Sequence, residues 1–219
     1  DRWIVFHLMI AGRFKWLDSG RKVPKSALAF LEFPEGILVL TEAGSKRRAS
    51  IHLVNSVNII EEFDPGGVEI ADIDLDVFKN HLTRANHTLK RALTDPKIFS
   101  GIGNAYSDEI LHRAKLSPIA QTQKLDDLEM GRLLEAAKAV LALWTERLRM
   151  QYGNKFPTKV TAFREEMAVH GRFGQACPEC ETPIQQSRYA TNDVNSCPPC
   201  QTGGRGSGGR SLDWLFEEC

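Results

Sequence analysis

The chain has 219 residues, enough for one large domain or two ordinary ones. Its composition, 42% hydrophobic and 26% charged, is that of a globular protein with an apolar core. No apolar stretch reaches the roughly 20 residues that a membrane span needs, and the opening residues lack the pattern of a secretory signal. The net charge is zero, with 28 basic and 28 acidic residues, so the overall charge predicts no polyanionic partner.

The charges are unevenly distributed along the chain. Residues 61–76 carry seven acids and neither lysine nor arginine, whereas residues 79–115 carry seven basic residues against three acids, and residues 1–54 carry nine against five. Charge separated in this way can form a basic face, to which a phosphate backbone would respond. Solvated charge on helix surfaces is the alternative interpretation.

Residues 1–63 predict an antiparallel sheet or sandwich, because short apolar or alternating runs are separated by turn-forming triplets. These runs are residues 4–9, 27–33, 37–41 and 51–60. Asp64-Pro65-Gly66-Gly67 interrupts the pattern, and we expect the acidic segment 64–76 to be a linker.

A helical period then begins and predicts a helical domain over residues 77–170. The predicted helices are one or two up to residue 94, a second region over 98–116, a long helix over 125–150 and a short helix over 157–169. The long helix carries one apolar stripe, formed by Leu133, Leu134, Ala137, Val140, Leu141 and Trp144. Residues 171–203 are rich in Cys, Pro and turn-forming residues, and residues 204–219 form a tail that begins with a Gly-rich stretch.

Four cysteines form two C-x2-C pairs, Cys177 with Cys180 and Cys197 with Cys200, separated by sixteen residues. Each pair can direct two thiolates at one ion and two pairs complete a tetrahedron, so we predict one zinc ion, Zn2+. All four ligands are thiolates, which leaves no open position and makes the zinc structural. Two disulfides or unpaired buried thiols are the alternative, and Cys219 lies outside the pattern. The paired spacing without a secretory signal favours a reducing compartment, the cytoplasm.

A second motif is the GIGN turn at residues 101–104, which precedes a predicted helix. Gly101 and Gly103 permit a tight turn, and Asn104 stands where the helix would be capped. A helix N-terminus with exposed amides and a short polar side chain suits a phosphate, and basic residues nearby favour that contact: Lys90, Arg91 and Lys97. An ordinary helix–helix connection is the alternative.

Residues 93–118, LTDPKIFSGIGNAYSDEILHRAKLSP, resemble the helix–two-turns–helix motif of the formamidopyrimidine-DNA glycosylase/endonuclease VIII family. That family ends in a four-cysteine zinc finger of this spacing, reached through a segment similar to residues 169–175, VHGRFGQ. Residues 7–13, HLMIAGR, resemble a strand-turn near its DNA face. The resemblance implies an α+β fold: the remainder of an antiparallel β-sandwich, then a helix–two-turns–helix domain and a C-terminal zinc-ribbon finger.

The resemblance implies an enzyme that excises damaged bases from double-stranded DNA and then cuts the abasic strand. The target nucleotide must be flipped out of the duplex, because its sugar carbon cannot be attacked within the stack. The family's nucleophile is an N-terminal proline, assisted by a glutamate. The chain opens on Asp1 and an apolar run, so we expect upstream sequence to be missing, together with these two catalytic groups. As printed, the chain is expected to be inactive.

The resemblance also implies residues that hold DNA. Asn104, with the helix N-terminus behind Gly103, would bind phosphate beside the lesion. His7 matches a histidine of the strand-turn, although a structural role is equally open. Arg47 and Arg48 lie in a loop resembling one that fills the gap left by the flipped nucleotide, with plain surface charge as the alternative.

Three departures from the family pattern put recognition of oxidised purines in doubt. Ile10 and Ala49 stand where those enzymes carry Met and Phe wedges. Asn192 aligns with an arginine that clamps the lesion phosphate, and Arg188 would replace it only if the hairpin bends differently. The segment 156–167 leaves little room for a loop that covers the lesion.

Three functions remain open. The leading one is a monomeric DNA glycosylase with AP lyase activity, acting on double-stranded DNA with damaged bases or abasic sites. The second is a non-catalytic damaged-DNA-binding protein of the same fold. The third is a zinc-ribbon interaction module joined to a helical domain.

Overall fold

A computed structural model describes residues 2–9, 11–43, 45–157, 163–189, 192–203 and 210–211, without the side chains of residues 189, 192, 210 and 211. The chain divides into two compact units, Asp1–Asp64 with Leu148–Thr161 and Pro65–Arg147 with Ala162–Cys219. Among the described residues, no helix is both long enough and apolar enough to cross a bilayer.

Apart from the end of a long helix, the described residues of the first unit form five strands and a short helix. They are β1 Trp3–His7, β2 Gly12–Asp18, β3 Ala27–Phe33, β4 Gly36–Glu42, β5 Ser50–Val54 and α1 Val57–Glu61. Strand β1 pairs with β5, and β4 lies between β2 and β3, with every pairing antiparallel. The predicted antiparallel pairing is therefore confirmed. The two sheets meet at Phe6 and Phe14, whose rings pack edge to face with centroids 5.0 Å apart.

Two details of this unit differ from the prediction. Strand β2 was not predicted, although Gly12–Asp18 pairs along its whole length with β4. The predicted strand over residues 51–60 ends at Val54, and α1 begins soon afterwards. The Ser56 hydroxyl starts that helix by accepting a hydrogen bond from the Asn58 amide.

In the described part of the second unit, two short 3-10 helices, Ile70–Asp72 and Thr122–Lys124, accompany the following strands and α-helices, given in chain order. They are β6 Val68–Glu69, α2 Leu75–Thr83, α3 Leu89–Thr94, β7 Phe99–Ser100, α4 Asn104–Ala114, α5 Asp127–Tyr152 (from Leu148 onward part of the first unit), β8 Gln185–Tyr189, β9 Asn192–Ser196, α6 Pro198–Thr202 and β10 Arg210–Ser211. Helices α3 and α4, with the turns between them, form the predicted helix–two-turns–helix arrangement.

The helical core is apolar and tightly packed. Phe78 and Phe99 are fully buried and stack with centroids 5.1 Å apart. The predicted stripe of α5 is confirmed: five of its six residues are buried and Leu141 packs against them. This core fixes α4, and with it the glycine turn that starts the helix.

Three predicted segments differ in the structure. The acidic segment 64–76 is more than a linker, because Ile70 is 1% exposed in the helical core and β6 pairs in parallel with β7. The predicted helix over 157–169 is absent from residues 163–169, and residues 158–162 lie outside the described part. In the tail, β10 pairs with β8. Residues 204–209 and 212–219, Cys219 included, lie outside the described part of the chain.

Candidate DNA interface and metal centre

The glycine turn presents the N-terminus of α4. Gly101 has φ of +77°, which a residue with a side chain rarely adopts, and Gly103 is the N-cap in extended conformation. The prediction that Asn104 caps the helix is wrong by one position, because Asn104 is the first helical residue. The helical hydrogen bonds begin with the Ser107 amide donating to the Gly103 carbonyl at 3.1 Å. The amides of residues 104–106 are therefore not used within the helix, as an anion site requires.

The Asn104 side chain joins this turn to the hairpin formed by β8 and β9. Its Nδ2 donates to the Asp193 carbonyl oxygen at 3.0 Å, across 89 residues of sequence. Its Oδ1 is buried and has no hydrogen-bond partner among the described residues. The turn and the finger hairpin, predicted from separate motifs, are thus brought together at one side chain.

Lys90 lies beneath the turn rather than beside it. It is 8% exposed, and its Nζ donates to the Asn104 carbonyl at 2.7 Å, the Ser107 hydroxyl at 2.8 Å and an Asp108 carboxylate oxygen at 2.6 Å. Burial lowers the pKa of Lys90, and Asp108 opposes that shift. The three N–H groups of Lys90 are already used inside the domain, which argues against the predicted phosphate contact.

Two adjacent acids of α4 bind the segment that leads into the finger and the finger hairpin itself. Asp108 Oδ2 lies 2.8 Å from His170 Nδ1 and accepts from the amide and the side chain of Asn195, both at 3.2 Å. Glu109 accepts from three successive amides, those of Ala168, Val169 and His170, at 2.7 to 2.9 Å. Sequence reasoning missed both residues, because their partners lie 59 to 87 positions away and no local pattern marks them.

The four predicted ligands do converge. Their Sγ atoms all lie within 4.8 Å of one another, with Cys177 3.9 Å from Cys200 and Cys180 3.3 Å from Cys197. A tetrahedron with zinc–sulfur bonds of about 2.3 Å has sulfur–sulfur edges of about 3.8 Å, so the cluster fits such an ion. All four cysteines are free thiols, which rules out the alternative of disulfides between them in this structure.

The four thiols differ in acidity. Hydrogen bonds from Thr182, chiefly its backbone amide, lower the pKa of Cys180 to about 6. Burial raises the pKa of both Cys197 and Cys200. Without an ion these two remain neutral thiols, and a divalent cation would supply the charge that stabilises their thiolates.

Helix α4 reaches the cysteine cluster at its C-terminal end. His112 is 2% exposed, and its Nε2 lies 3.4 Å from Cys177 Sγ. Burial, and then the charge of Lys115, lower the pKa of His112 to about 4. Lys115, which ends the helix in a left-handed conformation with φ of 57°, forms an ion pair with Glu179 between the first two cysteines. Sequence reasoning missed His112, because no local pattern marks this contact.

The finger hairpin carries the other predicted contacts. Arg188 is exposed, and its Nε donates to an Asp193 carboxylate oxygen at 3.0 Å, so part of its charge is balanced within the hairpin. The backbone of Asn192 pairs with Tyr189, and the Asn192 side chain lies outside the described part.

The remaining predicted DNA-binding residues belong to the first unit. His7 is exposed at the end of β1, where it pairs with Ser50. Arg47 and Arg48 are exposed in the loop after β4. The Glu42 carboxylate shapes that loop by accepting from the amides of Arg48 and Ala49 at 2.9 to 3.0 Å. Of the two wedge positions, Ala49 is half-buried and Ile10 lies outside the described residues.

Comparison with known proteins connects these features to one family. The family model for the formamidopyrimidine-DNA glycosylase H2TH domain matches residues 67–151. An uncharacterized formamidopyrimidine-DNA glycosylase-like protein of Mycobacterium tuberculosis is 34% identical over 151 residues, 69% of this chain and 94% of the relative. The formamidopyrimidine-DNA glycosylase of Listeria innocua is 26% identical over 206 residues, 90% of this chain and 74% of the relative.

The fold agrees with these relatives. The crystal structure of Lactococcus lactis formamidopyrimidine-DNA glycosylase, bound non-covalently to DNA containing an AP site, matches with a TM-score of 0.77. It is 22% identical, and the match covers 92% of this chain and 75% of that one. The glycine turn, the helices around it and the four-cysteine cluster occur together in the order the resemblance implies. The chain belongs to the formamidopyrimidine-DNA glycosylase/endonuclease VIII family.

Proposed function

We propose that the protein acts in base-excision repair as a DNA glycosylase with AP lyase activity, on double-stranded DNA that contains damaged bases or abasic sites. The observation that carries this proposal is the hydrogen bond from Asn104 Nδ2 to the Asp193 carbonyl. It holds the open end of α4 against the finger hairpin, so two elements suited to a DNA backbone form one surface. Family membership supplies the reaction class, and the geometry supports a DNA-holding role for these residues.

We assign backbone contacts to this surface. The amides following Gly103 and the second N–H of Asn104 Nδ2, the one not donated to the Asp193 carbonyl, suit one phosphate, because the helix N-terminus favours negative charge. Gly103 leaves this approach open, since a Cβ there would contact no atom within 4 Å. Arg188 and Asn192 on the hairpin are proposed as the adjoining contacts. His7, Arg47 and Arg48 are proposed as DNA contacts of the first unit, where their exposure leaves them accessible.

We propose that Cys177, Cys180, Cys197 and Cys200 hold one structural zinc ion. Among its described residues the finger has only a small apolar cluster, formed by Cys177, Ile184 and Cys197 with Val169 from the preceding segment, and Val194 is buried besides. That small cluster cannot offset the entropy of ordering the segment, so a bound metal would supply the folding free energy. The four free thiols also suit the reducing conditions of the cytoplasm.

Substitution of Asn104 tests the DNA-binding surface. Losing a hydrogen bond to a charged group costs about 1.5–3 kcal/mol, so Asn104→Ala is expected to weaken binding to a duplex with a tetrahydrofuran abasic analogue about 10- to 100-fold. Fluorescence anisotropy at fixed salt measures the Kd. Asn86→Ala is the matched control, because Asn86 is an exposed asparagine of the same unit. Equal affinities for the two variants would remove Asn104 from the interface.

Covalent trapping separates an enzyme from a damage-binding protein. The lyase step passes through a Schiff base between a protein amine and the abasic sugar, and borohydride reduces it to a stable amine. We expect this adduct, on abasic duplex DNA, from a protein that carries the N-terminal proline implied by the family resemblance, and not from the chain as printed. Tight binding without an adduct would overturn the lyase assignment and favour the non-catalytic alternative.

A further inference from the structure

Helix α4 ends against the cysteine cluster, and one of its side chains contacts a sulfur atom. His112 Nε2 lies 3.4 Å from Cys177 Sγ, and both side chains are buried, at 2% and 1% exposure. The two residues are 65 positions apart in sequence, so the contact exists only because the helical domain and the finger pack together.

Four thiolates around one divalent cation leave a net charge of about −2 on the cluster. Burying that charge is costly unless hydrogen-bond donors face the sulfur atoms. Thr182 serves Cys180 in this way through its backbone amide. Cys177 is the more deeply buried of the first pair, and the imidazole of His112 is placed to donate to it.

We infer that His112 is a positioning residue of the metal centre, donating an Nε2–H hydrogen bond to the Cys177 thiolate. The inference rests on the zinc ion proposed above. Helix α4 then has a role at each end. Its N-terminal turn contacts the finger hairpin, and near its C-terminus the imidazole donates to a ligand of the ion. Partners of this kind orient metal ligands and hold the charge of the cluster, and their loss typically weakens metal binding about 10- to 100-fold.

The geometry also allows a different set of metal ligands. His112, Glu179 and Cys200 also place one ligand atom each within 4.8 Å of one another. In that arrangement the imidazole would bind the ion itself in place of a thiolate. The hydrogen bond is favoured because the four sulfur atoms already have the spacing of a complete tetrahedron.

His112→Phe tests the inference, because phenylalanine keeps an aromatic ring in the buried position and removes the donor. The zinc content of the unaltered protein is measured first, and a content near zero would overturn the zinc proposal itself. Competition with a chromophoric chelator is then expected to show about 10- to 100-fold weaker zinc binding in the variant. Cobalt substitution is expected to give a four-thiolate spectrum in both proteins, with the sulfur-to-metal band at lower energy in the variant.

Two further variants separate the hydrogen bond from simple packing. His112→Gln retains an N–H donor and is expected to recover part of the affinity. Lys115→Gln removes the ion pair to Glu179 while leaving the contact with sulfur, and is expected to bind zinc like the unaltered protein. Equal zinc affinity in His112→Phe would overturn the inference while leaving the zinc proposal intact, whereas a three-thiolate spectrum in the unaltered protein would overturn both the inference and the four-cysteine site.

Discussion

Glu42 sets the conformation of the loop that carries Arg47 and Arg48. Two backbone amides donate to its carboxylate, that of Arg48 to both oxygens and that of Ala49 to one, and these hydrogen bonds, chiefly those from Arg48, lower its pKa below the ordinary 4.5. A carboxylate with a lowered pKa in the fold contributes order above its ordinary pKa, and that contribution is lost as the pH falls through the lowered value.

The loop is therefore expected to keep its conformation down to about pH 4.5 and to loosen below it. NMR titration of the Arg48 and Ala49 amides measures this, and their shared midpoint should lie below 4.5. The matched variant Glu42→Gln should abolish the shared transition. A midpoint above 4.5 would contradict the role given to Glu42.

In helix α4, the buried charge of Asp108 is balanced by partners on other segments. Asp108 is 0% exposed and neutralises Lys90 from α3, while it also binds His170 and the finger hairpin through Asn195. Breaking one partner of a buried pair leaves an uncompensated charge, whereas an exposed pair contributes little.

Asp108→Ala is accordingly expected to destabilise the second unit by about 3–5 kcal/mol, and adding Lys90→Met should recover part of that loss. Urea titration followed by hydrogen exchange of the α4 amides gives the free energy of opening. Asp127→Ala is the control, because it removes an ion pair of similar length, 2.7 Å, whose aspartate side chain is 85% exposed. That variant should lose less than about 1 kcal/mol, and a loss matching that of Asp108→Ala would contradict the argument.

Local sequence patterns predicted some features of the second unit and could not predict others. The apolar period predicted the stripe of α5, and the cysteine spacing predicted a cluster that the structure brings together, because both patterns are local. The burial of Lys90 depends on Asp108, 18 residues away, and the contact of His112 depends on Cys177, 65 residues away. A local pattern carries no information on such distant partners. The sequence therefore predicted a phosphate contact for Lys90 and predicted no role for His112.

At the scale of the whole molecule, we expect loss of zinc to unfold the finger and to leave the helical domain folded. The large apolar cluster of the helical domain contains none of the four cysteines, whereas the finger cluster is small. Removing zinc with a chelator should therefore expose the amides of residues 171–203 to hydrogen exchange and leave those of α5 protected. Finger amides that stay protected without metal would contradict a structural role for the ion.

The hydrogen bond between Asn104 and the Asp193 carbonyl has a thermodynamic consequence. The surface that we propose binds the DNA backbone is complete only when the finger is ordered, and zinc orders the finger. The binding of zinc and the binding of DNA are therefore coupled. Coupling of this kind is reciprocal: whatever factor zinc adds to DNA affinity, DNA must add to zinc affinity. A molecule engaged on damaged DNA would then retain its ion against chelators that remove it from a free one, so the lesion itself would protect the finger.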